Sequence, residues 1–218
     1  MFAGPKNGRM PMARRTKEDA LATRDSILDA AEKLFVKQGV SGTTLQHIAT
    51  AAGVTRGAIY WHFLDKAAMF NAMMERVKMP LECAMQQRDE ANETDPLDAL
   101  RENTMSVFRV TVSDPKARAV FEIATLKLEF TDELNAVRER RQQNHQVWMA
   151  RAEARIREGM AKGQVRTDVD PYAVALGLWA IIDGLLRAWL LDQQAFDLVK
   201  VGAQIVDTHL QCLRVQQV

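Results

Sequence analysis

The sequence predicts an all-α protein of about nine helices, in which a small N-terminal helix-turn-helix unit precedes a larger helical body. Three observations carry this prediction. Apolar residues recur at helical spacing along almost the whole chain. The pair Asp-Pro occurs at 95–96, 114–115 and 170–171, and each copy joins a strong N-cap to the residue favoured at the first helical position. The one strand-like run, Phe108-Arg109-Val110-Thr111-Val112, has no second strand to pair with and reads as a helix end.

The elements follow in order. Residues 17–38 place Ile27, Leu28, Ala31, Leu34 and Phe35 on one face, and Gly39 stops that helix, because a left-handed C′ residue is least strained as glycine. Thr43 or Thr44 caps a second helix over 45–52, Gly53 turns the chain, and Thr55 caps a third helix over 56–63. Asp65 caps a fourth, whose apolar stripe is Phe70, Met73, Met74, Val77 and Leu81. The Asp-Pro pairs open helices over 96–111, 115–127 and 171–191. Thr131 caps a long helix over 132–162, closed near Gly163, and a last helix covers 196–214. The division expected is a flexible basic leader over 1–15, a helix-turn-helix unit over 16–64 and a body over 65–218.

Composition bounds the function. The chain has 218 residues, 47% hydrophobic and 26% charged, which suits a globular protein with a substantial core rather than a disordered or fibrous one. The two cysteines, Cys83 and Cys212, are far apart and lack ligand-spaced partners, so neither a disulfide scaffold nor a zinc site is expected, and the usage suits a reducing cytoplasm. No stretch long enough to span a bilayer is free of charge, and Met1 to Pro11 has no apolar signal core, so no membrane partner and no secretion are expected. A start at Met12 fits as well as one at Met1. Ten Lys and Arg face six Asp and Glu in residues 1–66, against nineteen and twenty-two in the rest. That asymmetry points to an anionic partner at one end, or to an ordinary solvated face.

The third helix is the most informative segment. Ile59 and Phe63 are four residues apart and anchor it to the core. Tyr60 and Trp61 lie about one and two hundred degrees around the helix from Ile59. A three-helix unit has no second core for them, so Tyr60, Trp61 and His62 should point outward beside Arg56 and Lys66. Aromatics among cations on a capped helix suit the groove of double-stranded DNA, with arginine reading guanine edges and Tyr, His and Lys touching phosphate. The alternative is that these aromatics pack against the body.

The run Thr43-Thr44 to Ile48-Ala49, then Ala52-Gly53-Val54-Thr55-Arg56-Gly57-Ala58-Ile59-Tyr60-Trp61-His62-Phe63 and Asp65-Lys66, resembles the DNA-binding domain of the TetR family of transcriptional regulators. Met12 to Glu18 and Val54 to Phe63 resemble the subgroup typified by the AcrR and TtgR repressors of multidrug efflux operons. Lys127-Leu128-Glu129-Phe130, Asp183 to Arg187 and Trp189-Leu190-Leu191 match more loosely. The resemblance implies that the helix with Arg56, Gly57, Tyr60, Trp61 and His62 enters the major groove. It implies that Thr44, Thr55 and Lys66 hold the DNA backbone, and that Arg14, Arg15 and Lys17 form a basic arm. Position 45 is Leu where some members carry a base-reading Arg, which leaves Gln46 as the nearest polar substitute. Regulation of other metabolic genes is the alternative assignment.

The body is read as sensor and dimer interface. Helix 171–191 is apolar nearly all round and should be buried on every side. The last helix has two stripes, Leu198, Val201, Ile205 and Cys212 on one and Val199, Val206, Leu210 and Leu213 on the other. Two stripes imply either a wide monomer core or a core plus a second subunit, and the second choice gives a homodimer and a palindromic operator, with half-sites about 34–36 Å apart. Asp183 and Arg187, four residues apart, form either an intrahelical ion pair or a polar anchor in an apolar pocket. The resemblance implies a pocket for a hydrophobic or amphipathic small-molecule inducer, lined by Met73, Val77, Val107, Phe121, Thr125 and Trp148, and by Leu178, Trp179, Ile182, Asp183 and Arg187. It also implies repression, with the fourth helix as the lever between pocket and DNA.

Catalysis is the rival class. Asp183, His145 and Trp148 are the residues on which it would rest. The sequence has no nucleophile elbow, phosphate loop or metal-binding His pair, so no enzyme and no cofactor are expected. A pure interaction scaffold would leave the Arg56, Tyr60, Trp61 and Lys66 cluster without a purpose.

Overall fold

A computed structural model describes residues 17–90, 95–129 and 134–215. Among these, the chain is helical, and its sole extended pairing is an isolated antiparallel bridge between Val165 and Arg214. The helices are α1 (Lys17–Gln38), α2 (Leu45–Ala52), α3 (Arg56–His62), α4 (Lys66–Glu90), α5 (Pro96–Ser113), α6 (Pro115–Glu122), α7 (Asn135–Ala161), α8 (Pro171–Leu191) and α9 (Leu198–Gln211). The expected helix over 115–127 divides, because α6 passes into a π-helical turn over Ile123–Lys127. Such turns widen a helix locally and release a carbonyl from its usual partner. Here the Ala124 carbonyl accepts from Arg141 Nη1 at 2.6 Å.

The caps act where the sequence places them. Asp95, Asp114 and Asp170 each accept from backbone N–H groups of the helix that their Pro opens, a contribution of about 1 kcal/mol per helix. Gly39, Gly53 and Gly163 all adopt left-handed φ of 77°, 67° and 69°. α4 runs past Leu81 to Glu90, and α9 starts at Leu198 because Asp197, missed in the sequence, accepts from Lys200 N. Thr131, Phe130, Arg14 and Arg15 lie outside the described residues, as do the side chains of Leu81 and Cys83.

Two hydrophobic cores result. The first joins Ile27, Phe35, Ile48 and Ile59 of α1–α3 to Phe70 and Met73 of α4, and also to Val120, Ile123 and Val137. The N-terminal three helices therefore share a core with α4, α6 and the start of α7. The second core gathers Phe108 of α5, Ile156 of α7, Leu178, Ile182 and Trp189 of α8, and Val206 of α9. Gly202 allows α9 to lie directly on α5, since a Cβ there would stand 2.7 Å from the Phe108 ring. Phe121 packs against both cores.

α8 differs from the expectation of burial on every side. It is long and apolar enough, by composition, to cross a membrane, yet Leu178, Ile182, Leu186 and Trp189 are buried in the second core. Leu176 and Leu191 are exposed at 41% and 69%, and Asp183, Gly184 and Arg187 lie on the same uncovered side. On α9 the pattern is similar. Leu198 joins the buried stripe rather than the outer one, which leaves Ile205 and Cys212 exposed.

Candidate nucleic-acid interface and cavity

Local hydrogen bonding fixes the helix-turn-helix. The Thr44 hydroxyl accepts from His47 N at 3.1 Å, and Thr44 N donates to His47 Nδ1 at 3.4 Å, a capping box with His in the place usually held by Glu or Gln. Thr55 caps α3 by accepting from Ala58 N at 3.2 Å. Ile59 is fully buried and Phe63 nearly so, and these two residues set the rotation of α3. Trp61 is then 84% exposed and Tyr60 50%. Thr44, Gln46, Thr55, Arg56 and Gly57 are exposed with them, as is Lys17 at the start of α1.

These side chains are not independent. Arg56 Nη2 donates to the Tyr60 hydroxyl at 3.0 Å, and its guanidinium carbon lies 5.6 Å from the Tyr60 ring centroid. One turn of α3 thus holds an arginine in a defined pose with most of its donors still directed outward. His62 is half-buried, with its ring 6.2 Å from Trp61 edge-on and 6.5 Å from Phe63. Arg24 covers the Phe63 ring at 4.9 Å. Leu64, not singled out in the sequence, is 80% exposed beside them.

Lys66 corrects the sequence reading. It is buried rather than outward-facing, and its ammonium donates to Val40 O at 3.0 Å. The backbone N–H of Val40 in turn donates to Lys127 O, in the π-helical turn, at 3.4 Å. Lys66 therefore reaches back across the first core instead of out toward solvent, because α4 starts beside the α1–α2 loop. Asp29 adds a second tie between α1 and the body, accepting from Arg76 of α4 at 2.9 Å and from Lys116 of α6 at 3.2 Å. Burial raises the Asp29 carboxyl, but the two cations outweigh it and hold it below its usual range.

A cavity of about 250 Å³ opens between the helices of the body. α4 contributes Met74, Val77 and Lys78, and α5 contributes Asn103, Thr104 and Val107. Phe121 of α6 forms one wall, with Asn144, Val147, Trp148 and Arg151 of α7 and Trp179, Ile182 and Leu186 of α8 around it. Trp148 and Trp179 meet edge-on at 5.1 Å, and His145 packs on Trp179 at 4.7 Å. An apolar enclosure with a few polar groups is the usual form of a small-molecule site. A larger depression of about 550 Å³ along α1 is more open and is walled by Asp25, Asp29, Lys33 and Lys37, so it has no comparable apolar interior.

Of the eleven residues expected to hold a ligand, Val77, Val107, Phe121, Trp148, Trp179 and Ile182 line this cavity. Five expected residues do not line it. Met73 is fully buried in the first core while its neighbour Met74 faces the cavity. Leu178 is buried in the second core while Trp179 faces the cavity. Thr125 is half-buried in the π-helical turn. Asp183 and Arg187 lie on the exposed side of α8, each one residue, or about 100°, beyond Ile182 and Leu186. Neither anchors the cavity. Arg141, also unforeseen, lies close enough to feel both: burial lowers its guanidinium, Asp183 opposes that and Arg187 adds to it.

Residues 27–73 match the family model described as bacterial regulatory proteins, tetR family, and residues 95–215 match that of the MAATS-type transcriptional repressor, C-terminal region. The chain belongs to the TetR family. The HTH-type transcriptional regulator TtgR of Pseudomonas putida is 38% identical over 208 residues, which cover 93% of this chain and 97% of that one. The crystal structure of NalD, the secondary repressor of the MexAB-OprM multidrug efflux pump in Pseudomonas aeruginosa, aligns at a TM-score of 0.83 and 34% identity, covering 92% of this chain and all of NalD. A SmeT–triclosan complex aligns at 0.78 and 31% identity, over 89% of this chain and 93% of SmeT. In TetR-family terms the exposed residues of α3 fall within the matched N-terminal region, and the cavity residues from Asn103 onward fall within the matched C-terminal region.

Proposed function

We propose that this chain is a ligand-responsive repressor of a multidrug efflux operon. A reading head over 16–64 binds a palindromic operator, and a body over 65–218 dimerises and holds a hydrophobic inducer. The observation that carries the proposal is the 84% exposure of Trp61 on a capped helix whose Arg56 is already posed by Tyr60. An aromatic so exposed buries little surface within the chain, whereas it can pack on a duplex backbone while Arg56 reads a guanine edge.

The relatives support the regulatory half. NalD is named as a repressor of an efflux pump, and SmeT is seen with triclosan. The uncovered sides of α8 and α9, with Leu176, Leu191 and Ile205, offer a two-helix face that a second copy would close into a four-helix contact. Release follows from linkage. Phe121 borders the cavity and both cores, and the π-helical turn that follows it bonds to Val40. An inducer that moves Phe121 therefore acts on the head through Lys127, Val40 and Lys66, with a coupling of about 1–3 kcal/mol. The protein acts on DNA and works in the cytoplasm.

The test is fluorescence anisotropy with the promoter fragments beside its own gene. The purified protein should bind one of them, with an affinity that falls steeply as salt rises. A hydrophobic drug panel should contain members that dissociate the complex. Absence of binding to every such fragment at low ionic strength would overturn the proposal.

A further inference from the structure

The cavity has a charge as well as a shape. Two of its lining side chains, Lys78 and Arg151, are cationic, and among the described residues no Asp or Glu lines it. Lys78 Nζ donates to Asn144 Oδ1 at 3.1 Å, so the Asn144 amide is aligned with its carbonyl toward α4. The Thr104 hydroxyl donates to Leu100 O within its own helix. Arg151 and Asn103 differ from these. Among the described residues neither side chain has a hydrogen-bond or ion-pair partner, yet both line the cavity, Arg151 from the exposed surface of α7 and Asn103 half-buried on α5. The rings of Phe121, Trp148 and Trp179 supply apolar wall to the same cavity.

We propose that the cavity selects amphipathic ligands bearing an anionic head, a carboxylate or an ionised phenol, over neutral or cationic ones. This rests on the reading of the cavity as the inducer site. The apolar body packs between Trp148, Trp179 and Phe121, where burial of aromatic surface supplies most of the affinity. The head lies at the rim, where the Arg151 guanidinium presents its donor fork and the Asn103 amide offers N–H groups. A cationic head would meet the Arg151 guanidinium, and no Asp or Glu among the described lining residues would offset it.

The experiment uses the full-length protein and three matched probes: 4-butylbenzoate, 4-butylbenzyl alcohol and 4-butylbenzylamine, titrated by calorimetry at neutral pH. The benzoate should bind about ten-fold more tightly than the amine, the value of one charge-assisted contact at a partly exposed site, with the alcohol between them. Arg151→Gln should bring the three affinities together, and Arg151→Glu should reverse their order, an outcome that misfolding cannot produce. If the alcohol binds but the benzoate has no advantage, or if the preference survives Arg151→Glu, the anion selectivity is wrong while the inducer site stands. If none of the three binds, the inducer-site reading fails and takes this proposal with it.

Discussion

The Lys66 ammonium donates to the Val40 carbonyl across 3.0 Å, in a position where the side chain is buried. Through Val40 N it is one step from the Lys127 carbonyl of the π-helical turn. The first residue of α4, the loop ahead of α2 and the end of the α6 segment are thereby fastened together beneath the reading head.

That contact gives Lys66 a structural role. Lys66→Met should destabilise the fold by about 1–3 kcal/mol, as Val40 O loses a buried donor. Thermal unfolding should report a drop of about 2–4 °C per kcal/mol. The slope of log affinity against log salt should stay as in the parent. A slope reduced by about one, with unchanged melting, would instead make Lys66 a phosphate ligand.

Arg56→Ala should do the reverse. The residue is exposed and its only described partner is Tyr60, so stability should stay within about 0.5 kcal/mol. Operator selection experiments should show relaxed preference at one base position per half-site, worth about 1–3 kcal/mol. Undiminished preference would remove Arg56 from base reading.

The uncovered α8 and α9 faces predict the oligomer. Introducing charge with Leu176→Glu and Ile205→Glu together should yield a monomer in sedimentation velocity and abolish tight operator binding, while helix content stays unchanged. A persistent dimer would place the interface elsewhere on the surface.

Asp95 predicts a pH dependence. It caps α5 and also accepts from Arg214, just after α9, at 2.5 Å. Burial raises its carboxyl, but Arg214 and the Leu97 and Asp98 N–H groups outweigh burial and hold it below its usual range. Its stabilisation is therefore complete above the unfolded value of about 3.9 and is lost as pH falls through the lower folded value. Asp95→Asn keeps a capping oxygen but loses the charge. It should lower stability by about 1 kcal/mol at pH 7, and the difference from the parent should shrink below about pH 4 in denaturant titrations. A gap that persists unchanged into strong acid would show that the charge contributes nothing.

Much of this molecule was legible along the chain, because its signals are local. Asp-Pro pairs, Thr55 and the left-handed glycines act within one turn, so the sequence alone determined where α2, α3, α5, α6 and α8 begin and where α1 and α2 stop. It also determined that Tyr60 and Trp61 face outward, since Ile59 and Phe63 already occupy the one buried face a short helix can have. What the tertiary structure alone decided is the rotation of each longer helix about its axis. Met73 and Met74, Leu178 and Trp179, and Ile182 and Asp183 are neighbours about 100° apart, and composition does not say which of each pair meets the cavity. Packing of α4 on the first core and of α8 on the second settles it, and brings in Asn103, Asn144 and Arg151, which no apolar pattern marks. The burial of Lys66 has the same origin. Its carbonyl partner is 26 residues away in sequence, and only the docking of α4 beside the α1–α2 loop brings the two together.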